Sequence, residues 1–562
     1  MTGVVKIALL SSFTIRGLGG LLEAKCRDID LKARVFEAGY NQINQEILSR
    51  KSGLNEFRPD VTFLLIDSEY VFKNESVDFI QGAGKRKRFI ESVSKEFIGV
   101  VRGFLGNCSG IIVVSGLRKP TYSPLGINES KIELSAKEMT EQFNRTIKME
   151  FLGNERVFVY DFDSFFSRFG ERNIVNEKLR FLGHVLVEPG FLEELAEDFM
   201  GYVKALCSKN RKCIVLDLDN TLWGGIVGED GFNKIRLDDK PPGNAFLEFQ
   251  RTLLALHKRG IILAINSKNN PEDALKVIRE HPYMILREKH FACMKINWED
   301  KVKNLKEIAN EINIGTDSMV FFDDSKVNRE FVRSIMPEVL VVELPEDAAQ
   351  YAAKLREMND FNTLQVTGED FKRGQMYYQQ NRREKLRGKF SDLDSFLKNL
   401  KIKVEIKKAD AFTIPRISQL TQKTNQFNLT TKRYSEAEIK NFSENRNYFV
   451  YSVNVRDKFG DNGLTGVIIL EKRGEIFIID SFLLSCRVIG RNVEKSVLKF
   501  AVELAKKEGM TEIYGVYVPS QKNMLCKNLY TENGFEKAGK NLFRLRNFER
   551  VKSVDYIEVE TI

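Results

Sequence analysis

Short apolar runs that end in Ser, Asp or Gly recur through the first two-thirds of the chain, separated by stretches of helical periodicity. Within residues 1–205 these runs are VVKIALLSS, VTFLLIDS, GIIVVSG and RVFVYDFD. Continuous rather than alternating hydrophobicity predicts strands buried on both faces, as in a parallel sheet with crossover helices. The rhythm repeats over 211–350 in KCIVLDLD, IILAINS, SMVFFDD and VLVVEL. Between the first two of these, FLEFQRTLLALHKRG reads as an amphipathic helix with a glycine at its carboxyl end. The stretch from YAAKLREM to REKLRGKF is charged and helical and reads as a connector. From about Ser391 the pattern changes to helix SDLDSFLKNL, strands KVEIKKA, YFVYSVNVRD, TGVIILEK and EIFIIDSFLLS, helix VEKSVLKFAVELAKKEG and strand EIYGVYV. The expected organisation is therefore α/β over 1–205, a second α/β domain over 206–350, a helical connector over 351–390 and an α+β domain over 391–562. No internal repeat is evident.

A chain of 562 residues with 43% hydrophobic content is long enough for several cores. The net charge of +9 is dispersed, and its densest cluster, KRKR at 85–88, abuts a helical pattern and Glu91. That is a solvated helix face, and no nucleic-acid partner is expected. The seven cysteines (26, 108, 207, 213, 293, 486 and 526) show no CxxC spacing, which argues for a reducing compartment and against a zinc site or disulfide framework. Four histidines are little material for a His-built metal site or triad. The start, MTGVVKIALLSSF, is short and broken by Lys6, so it reads as a strand rather than a signal peptide. No run approaches the ~20 apolar residues of a membrane span. A cytoplasmic protein without a membrane partner is the expectation.

The chemistry concentrates in CIVLDLDNTLWGGIVGEDG, which begins at Cys213. Side chains alternate along a strand, so Asp217 and Asp219 leave the buried CIVL run on one side, at the sheet edge where open α/β folds bind ligands. Ser267 ends the next predicted strand, Lys301 follows in NWEDK, and MVFF delivers Asp323 and Asp324. An acid pair, a hydroxyl, a lysine and a second acid pair on successive βα units form a phosphoryl-transfer constellation. The carboxylates of Asp217, Asp219, Asp323 and Asp324 supply hard oxygens for Mg2+. Asp217 would attack phosphorus, Asp219 would serve as acid and then base, and Ser267 and Lys301 would hold the phosphate oxygens.

These motifs resemble those of the haloacid dehalogenase (HAD) superfamily. The wording LDLDNTLWGGIVGEDG, INSKN, INWEDK and FFDDSKVNRE is similar to its FkbH-like branch, subfamily IIIC. The fourth motif departs from the branch's usual DDNPxERE, with Asn328 replacing an acid. Neither the loop after Asp219 nor the gap before Lys301 has room for a cap domain. The resemblance therefore implies a Rossmannoid fold with a minimal, C0-type cap, open to a bulky phosphorylated substrate or a carrier protein.

Farther along, DSFLLSCRVIGRNVEKSVL and NLYTENGF resemble the acyl-CoA loop and the late signature of the GNAT acyltransferase fold. Arg487, Gly490 and Arg491 precede a helix amino end that suits a pyrophosphate or the phosphopantetheine arm of a carrier protein. Cys486 adjoins both arginines, a setting that favours thiolate, and the resemblance makes it the acyl-holding thiol. The first domain resembles an SGNH-like fold without its usual Gly-Asp-Ser entry or Asp-x-x-His ending; Ser12 and His184 are the nearest candidates, and a structural or docking role is expected. FkbH-like proteins are implied to take 1,3-bisphosphoglycerate, displace its acyl phosphate with a thiol, remove the other phosphate at the HAD site and pass a glyceryl unit to an acyl carrier protein for polyketide-type metabolism. A plain Mg2+ phosphatase for another phosphometabolite and a non-catalytic docking scaffold are the alternatives.

Overall fold

The computed structural model describes residues 4–72, 82–123, 125–366 and 392–562, with positions 371, 376, 379, 383, 386, 387 and 390; at 486 it describes the backbone alone. The chain forms two compact units, Met1–Asn210 with Asn359–Gln365, and Arg211–Met358 with Val366–Ile562.

The first unit holds β1 (Val5–Ser11), β2 (Ala33–Glu37), β3 (Val61–Leu65), β4 (Ile111–Ser115) and β5 (Val157–Tyr160) in one parallel sheet of order β2-β1-β3-β4-β5. Along β1, Val5, Ile7 and Leu9 enter one core, while Ala8 and Leu10 enter the other. Helices cover both faces, which is why the sequence runs apolar without alternation. The basic run at 85–88 lies on the helix Ala83–Asn107; its Arg86 turns inward and donates to the carbonyl of Glu133 at 2.6 Å.

The second unit begins with β6 (Cys213–Leu216), β7 (Ile262–Ser267), β8 (Phe291–Ile296), β9 (Met319–Phe322) and β10 (Leu340–Val341), again all parallel, in the order β10-β9-β6-β7-β8. The amphipathic segment before β7 is the helix Gly243–Lys258, and Gly260 beyond it takes a left-handed φ of 102°.

The same unit continues into a mixed sheet: β11 (Ile402–Lys408), β12 (Phe427–Asn428), β13 (Tyr448–Asp457), β14 (Gly460–Arg473), β15 (Ile476–Leu484), β16 (Glu512–Val516), β17 (Glu536–Lys537), β18 (Leu542–Leu545) and β19 (Ile557–Thr561). It has two parallel pairs, β11 with β19 and β15 with β16, and the latter stays in register only to Ile479 and Gly515. Beyond that point β12 pairs with the end of β15, and the Leu429 carbonyl accepts from the Val518 amide at 2.8 Å. DNG at 461–463 lies inside β14 beside a register shift, so it makes a bulge rather than the hairpin turn. No described helix is long and apolar enough to cross a membrane.

Candidate active site

Register brings the central residues together. Leu216 of β6 pairs with Ile265 on one side and Phe322 on the other, so Asp217, Asn266 and Asp323 arrive at the same level of the sheet edge. Ser267 stands one position farther along β7 and is buried. Asp217 is mostly buried and Asp323 fully so.

Lys301 opens the helix Lys301–Glu311, whose amino end is capped by Asp300 accepting from the Lys303 amide at 2.8 Å. Its ammonium is 1% exposed and lies 3.0 Å from Asp217 Oδ1 and 2.9 Å from Asp323 Oδ2, and it donates to the Asn266 carbonyl at 2.7 Å. Burial works against this charge, yet the carboxylates of Asp217 and Asp323 hold its pKa above the ordinary lysine value. The lysine is fixed by a polar network absent from the sequence expectation. The Asn266 amide donates to the Lys301 carbonyl at 2.9 Å, and Asn304 donates to the side chains of both Asn266 (3.0 Å) and Asn297 (2.9 Å).

Asp217, Asp323 and Asp324 each present an oxygen within 4.8 Å of the others. Asp217 Oδ1 is buried, and the Lys301 ammonium 3.0 Å away is its charge partner. A buried carboxylate oxygen with two further carboxylates beside it fits a hard divalent cation. Burial, with Asp217 and Asp323 next to it, pushes the Asp324 carboxyl up to about 6; burial and the charge of Asp217 also raise Asp323. Asn328, where the related motif has an acid, donates to both oxygens of Asp323 at 3.2 Å. Another acid there would instead repel Asp323. Arg329, also buried, donates to the carbonyls of Asp323 (2.9 Å) and Asp324 (2.7 Å) and pairs with Glu343.

Asp219 stands apart from that carboxylate group. Its Oδ1 accepts from the Trp223 indole at 2.8 Å and the Val227 amide at 3.1 Å, and its Oδ2 accepts from Asn269 at 2.8 Å. Burial raises its pKa, and these donors act in the opposite direction. Trp223 and Val227 belong to the turn after β6. That turn is held by Gln250, which donates to the Leu222 carbonyl at 2.8 Å and accepts from the amides of Ile285 and Leu286. The crowding of Asn in INSKNN and INWEDK was the available signal for Asn269 and the Asn266 network.

The remaining candidates lie elsewhere. Cys486 opens the one-turn helix Cys486–Val488, and its thiol lies outside the described atoms. Arg487 donates to Ser485 Oγ at 3.2 Å. Gly490 has a φ of 77°, and Arg491 is 5% exposed, with Nη1 3.1 Å from the buried Asp457. In the first unit, Ser12 donates to Asp67 at 3.0 Å, and the His184 ring stacks on Tyr40 at 4.7 Å.

Residues 6–204 match the family described as FkbH, N-terminal domain. No curated protein matches the chain. The chain is similar to the crystal structure of the N-terminal part of the protein BF1531 from Bacteroides fragilis, which contains a phosphatase domain and is complexed with Mg. The match has 27% identity and a TM-score of 0.60, and covers 64% of this chain and 95% of that one. The ribosomal-protein-S18-alanine N-acetyltransferase from Escherichia coli matches at 10% identity and a TM-score of 0.20, over 25% of this chain and 89% of its own, too low to say anything about the C-terminal part. The chain is thus similar to the FkbH N-terminal family over residues 6–204 and, at 27% identity over 64% of its length, to a structure that contains a phosphatase domain.

Proposed function

We propose that this protein is a Mg2+-dependent phosphatase of the aspartyl-phosphate type, and that it uses this activity to load a glyceryl unit from 1,3-bisphosphoglycerate onto an acyl carrier protein. The observation that carries the phosphatase reading is the buried arrangement of Asp217, Lys301 and Asp323, with Asp324 completing three carboxylates around one point. Similarity to a phosphatase-containing structure complexed with Mg supports it. Asp217, Asp323 and Asp324 would hold Mg2+, which when bound neutralises phosphate charge beside the nucleophile.

In the first step a carboxylate oxygen of Asp217 forms a bond to phosphorus as the bond to the leaving oxygen breaks, and Asp219 gives that oxygen its proton. Water then attacks the phosphorus of the aspartyl-phosphate. Asp219 takes the water's proton, and inorganic phosphate departs as Asp217 is regenerated. Ser267 binds an equatorial oxygen, and the Lys301 ammonium stabilises the charge that develops there.

The loading half rests on the FkbH N-terminal match and on the SCRV wording around Cys486. A thiolate there would bond to the acyl carbon of 1,3-bisphosphoglycerate and expel the acyl phosphate. The glyceryl group would then pass to the phosphopantetheine thiol of the carrier. A plain phosphatase for another phosphometabolite is the second reading. It is favoured by Arg491, whose pairing with Asp457 engages a guanidinium that a pyrophosphate would need.

Intact-protein mass spectrometry separates the two. Wild type, Asp217→Asn and Cys486→Ala are incubated with 1,3-bisphosphoglycerate, Mg2+ and holo carrier protein. The loading reading expects a glyceryl mass on the carrier with wild type alone. A carrier loaded equally well by Cys486→Ala removes the thiol relay, and phosphate release without any carrier adduct selects the plain phosphatase.

A further inference from the structure

A carboxyl group that works as acid and then base must face one point, yet an Asp side chain has two equivalent oxygens and rotates freely unless held. Asp219 is held from two loops. The turn after β6 contributes Trp223 Nε1 and the Val227 amide, both to Oδ1. The loop after β7 contributes Asn269 Nδ2, to Oδ2. A carboxylate has about four acceptor positions, two on each oxygen. Oδ1 is therefore saturated, and Oδ2 keeps one position open.

Neither loop is free to shift. Gln250 is fully buried and fastens the Leu222 carbonyl, while the Asn220 side chain accepts from the Gly225 amide at 2.8 Å and its carbonyl from Tyr351. On the other side Asn269 Oδ1 accepts from the Asn270 amide at 2.9 Å, which orients the amide so that Nδ2 points at Asp219. Trp223 and Asn269 are themselves buried.

We propose that Trp223 and Asn269 are positioning residues for the acid/base carboxyl, and that Asp219 Oδ2 is the oxygen that gives and takes the proton. The inference rests on the aspartyl-phosphate reading of Asp217. Asn269 follows Ser267 by two residues, so the loop that would bind the phosphate also sets the direction of proton transfer. Without the clamp the carboxyl rotates. Steps that need its proton or its basicity slow, while attack by Asp217 on a phosphate with a good leaving group continues.

Asn269→Ala and Trp223→Phe, which lose the two donors from different loops, provide the test with Mg2+ present. An alkyl phosphate, whose alkoxide needs a proton, is compared with p-nitrophenyl phosphate, whose phenolate does not. Both variants should lose about 10²-fold in kcat on the alkyl ester, the lower end of acid/base contributions. On p-nitrophenyl phosphate they should give a rapid burst of nitrophenolate followed by slow turnover, with hydroxylamine-sensitive phosphoenzyme accumulating because water attack still needs the base. Asn269→Leu keeps similar bulk, loses the donor and should behave like Asn269→Ala. Equal losses on both esters without a burst, or wild-type turnover of the alkyl ester, would overturn the assignment. Absence of hydroxylamine-sensitive phosphoenzyme in Asp219→Asn incubated with p-nitrophenyl phosphate, where water attack lacks its base, would remove the aspartyl-phosphate reading itself, a failure distinct from that of the clamp.

Discussion

Between Asp217 and Asp323 the Lys301 ammonium offsets charge that the interior would otherwise reject. Removing one partner of a buried ion pair typically costs about 3–5 kcal/mol because the other charge is left uncompensated. Lys301→Met should therefore lower stability in EDTA by about that amount, read by urea denaturation, and MgCl2 should recover part of it by replacing one cation with another. The carboxylates also fix the pH dependence. Asp324 titrates near 6 in the folded chain against an ordinary 3.8, so between those values the folded state binds more protons than the unfolded state. The stability that Asp324 contributes to the metal-free protein should then fall as pH rises through that window and level off above about 6. Asp219 and Asp323 are raised as well and act in the same direction. Burial lowers the pKa of His257, His281 and His290, which act in the opposite direction, so the check is a difference: in EDTA, Asp324→Asn should raise the unfolding midpoint more at pH 7.5 than at pH 5.5. Because metal binding requires ionised ligands, MgCl2 should stabilise more at the higher pH.

Individual elements show how the scaffold serves the site. The turn after β6 has little core of its own, and Gln250 on the helix Gly243–Lys258 fastens it to the segment at 285–286. Gln250→Met keeps similar bulk but leaves the Leu222 carbonyl and two amides without this partner. At roughly 1–3 kcal/mol for each buried group left unsatisfied, a loss of at least about 2 kcal/mol is expected by chemical denaturation. Activity should fall with it, since the turn carries Trp223 and Val227. Buried strands such as VTFLLIDS and GIIVVSG were legible because their apolar runs are continuous. β2 and β8 were not. β2 is a half-exposed edge strand, and in β8 the apolar FACM is followed by Lys295, which turns outward to Glu307 and Glu311. β12 has two residues and exists only because the end of β15 offers it an edge.

For the whole molecule, division into two units predicts separable unfolding. The first unit includes Asn359–Gln365, far away in sequence, because the nearly buried Lys204 pairs there with Asn359 at 2.7 Å and Asp360 at 3.0 Å. In calorimetry, MgCl2 should raise only the transition of the unit that contains Asp217. Lys204→Met should lower only the other, since it leaves Asp360 without its cation. Movement of both transitions by either change would show that the units unfold as one.

Local chemistry was enough to place the acids. An apolar strand followed by Asp-x-Asp, then Ser, Lys and Asp-Asp on successive strand–helix units, commits the carboxylates to one sheet edge whatever the remaining residues do, because strand periodicity and parallel crossover leave few alternatives. What the sequence could not contain is the pairing across loops. Lys301 touching both Asp217 and Asp323, and Asn269 reaching Asp219 from the loop after β7, depend on register between strands distant in sequence. Hydrogen bonds are directional within a few tenths of an ångström, whereas hydrophobic periodicity is indifferent to such shifts. Only the folded sheet could therefore decide which donors meet which acids.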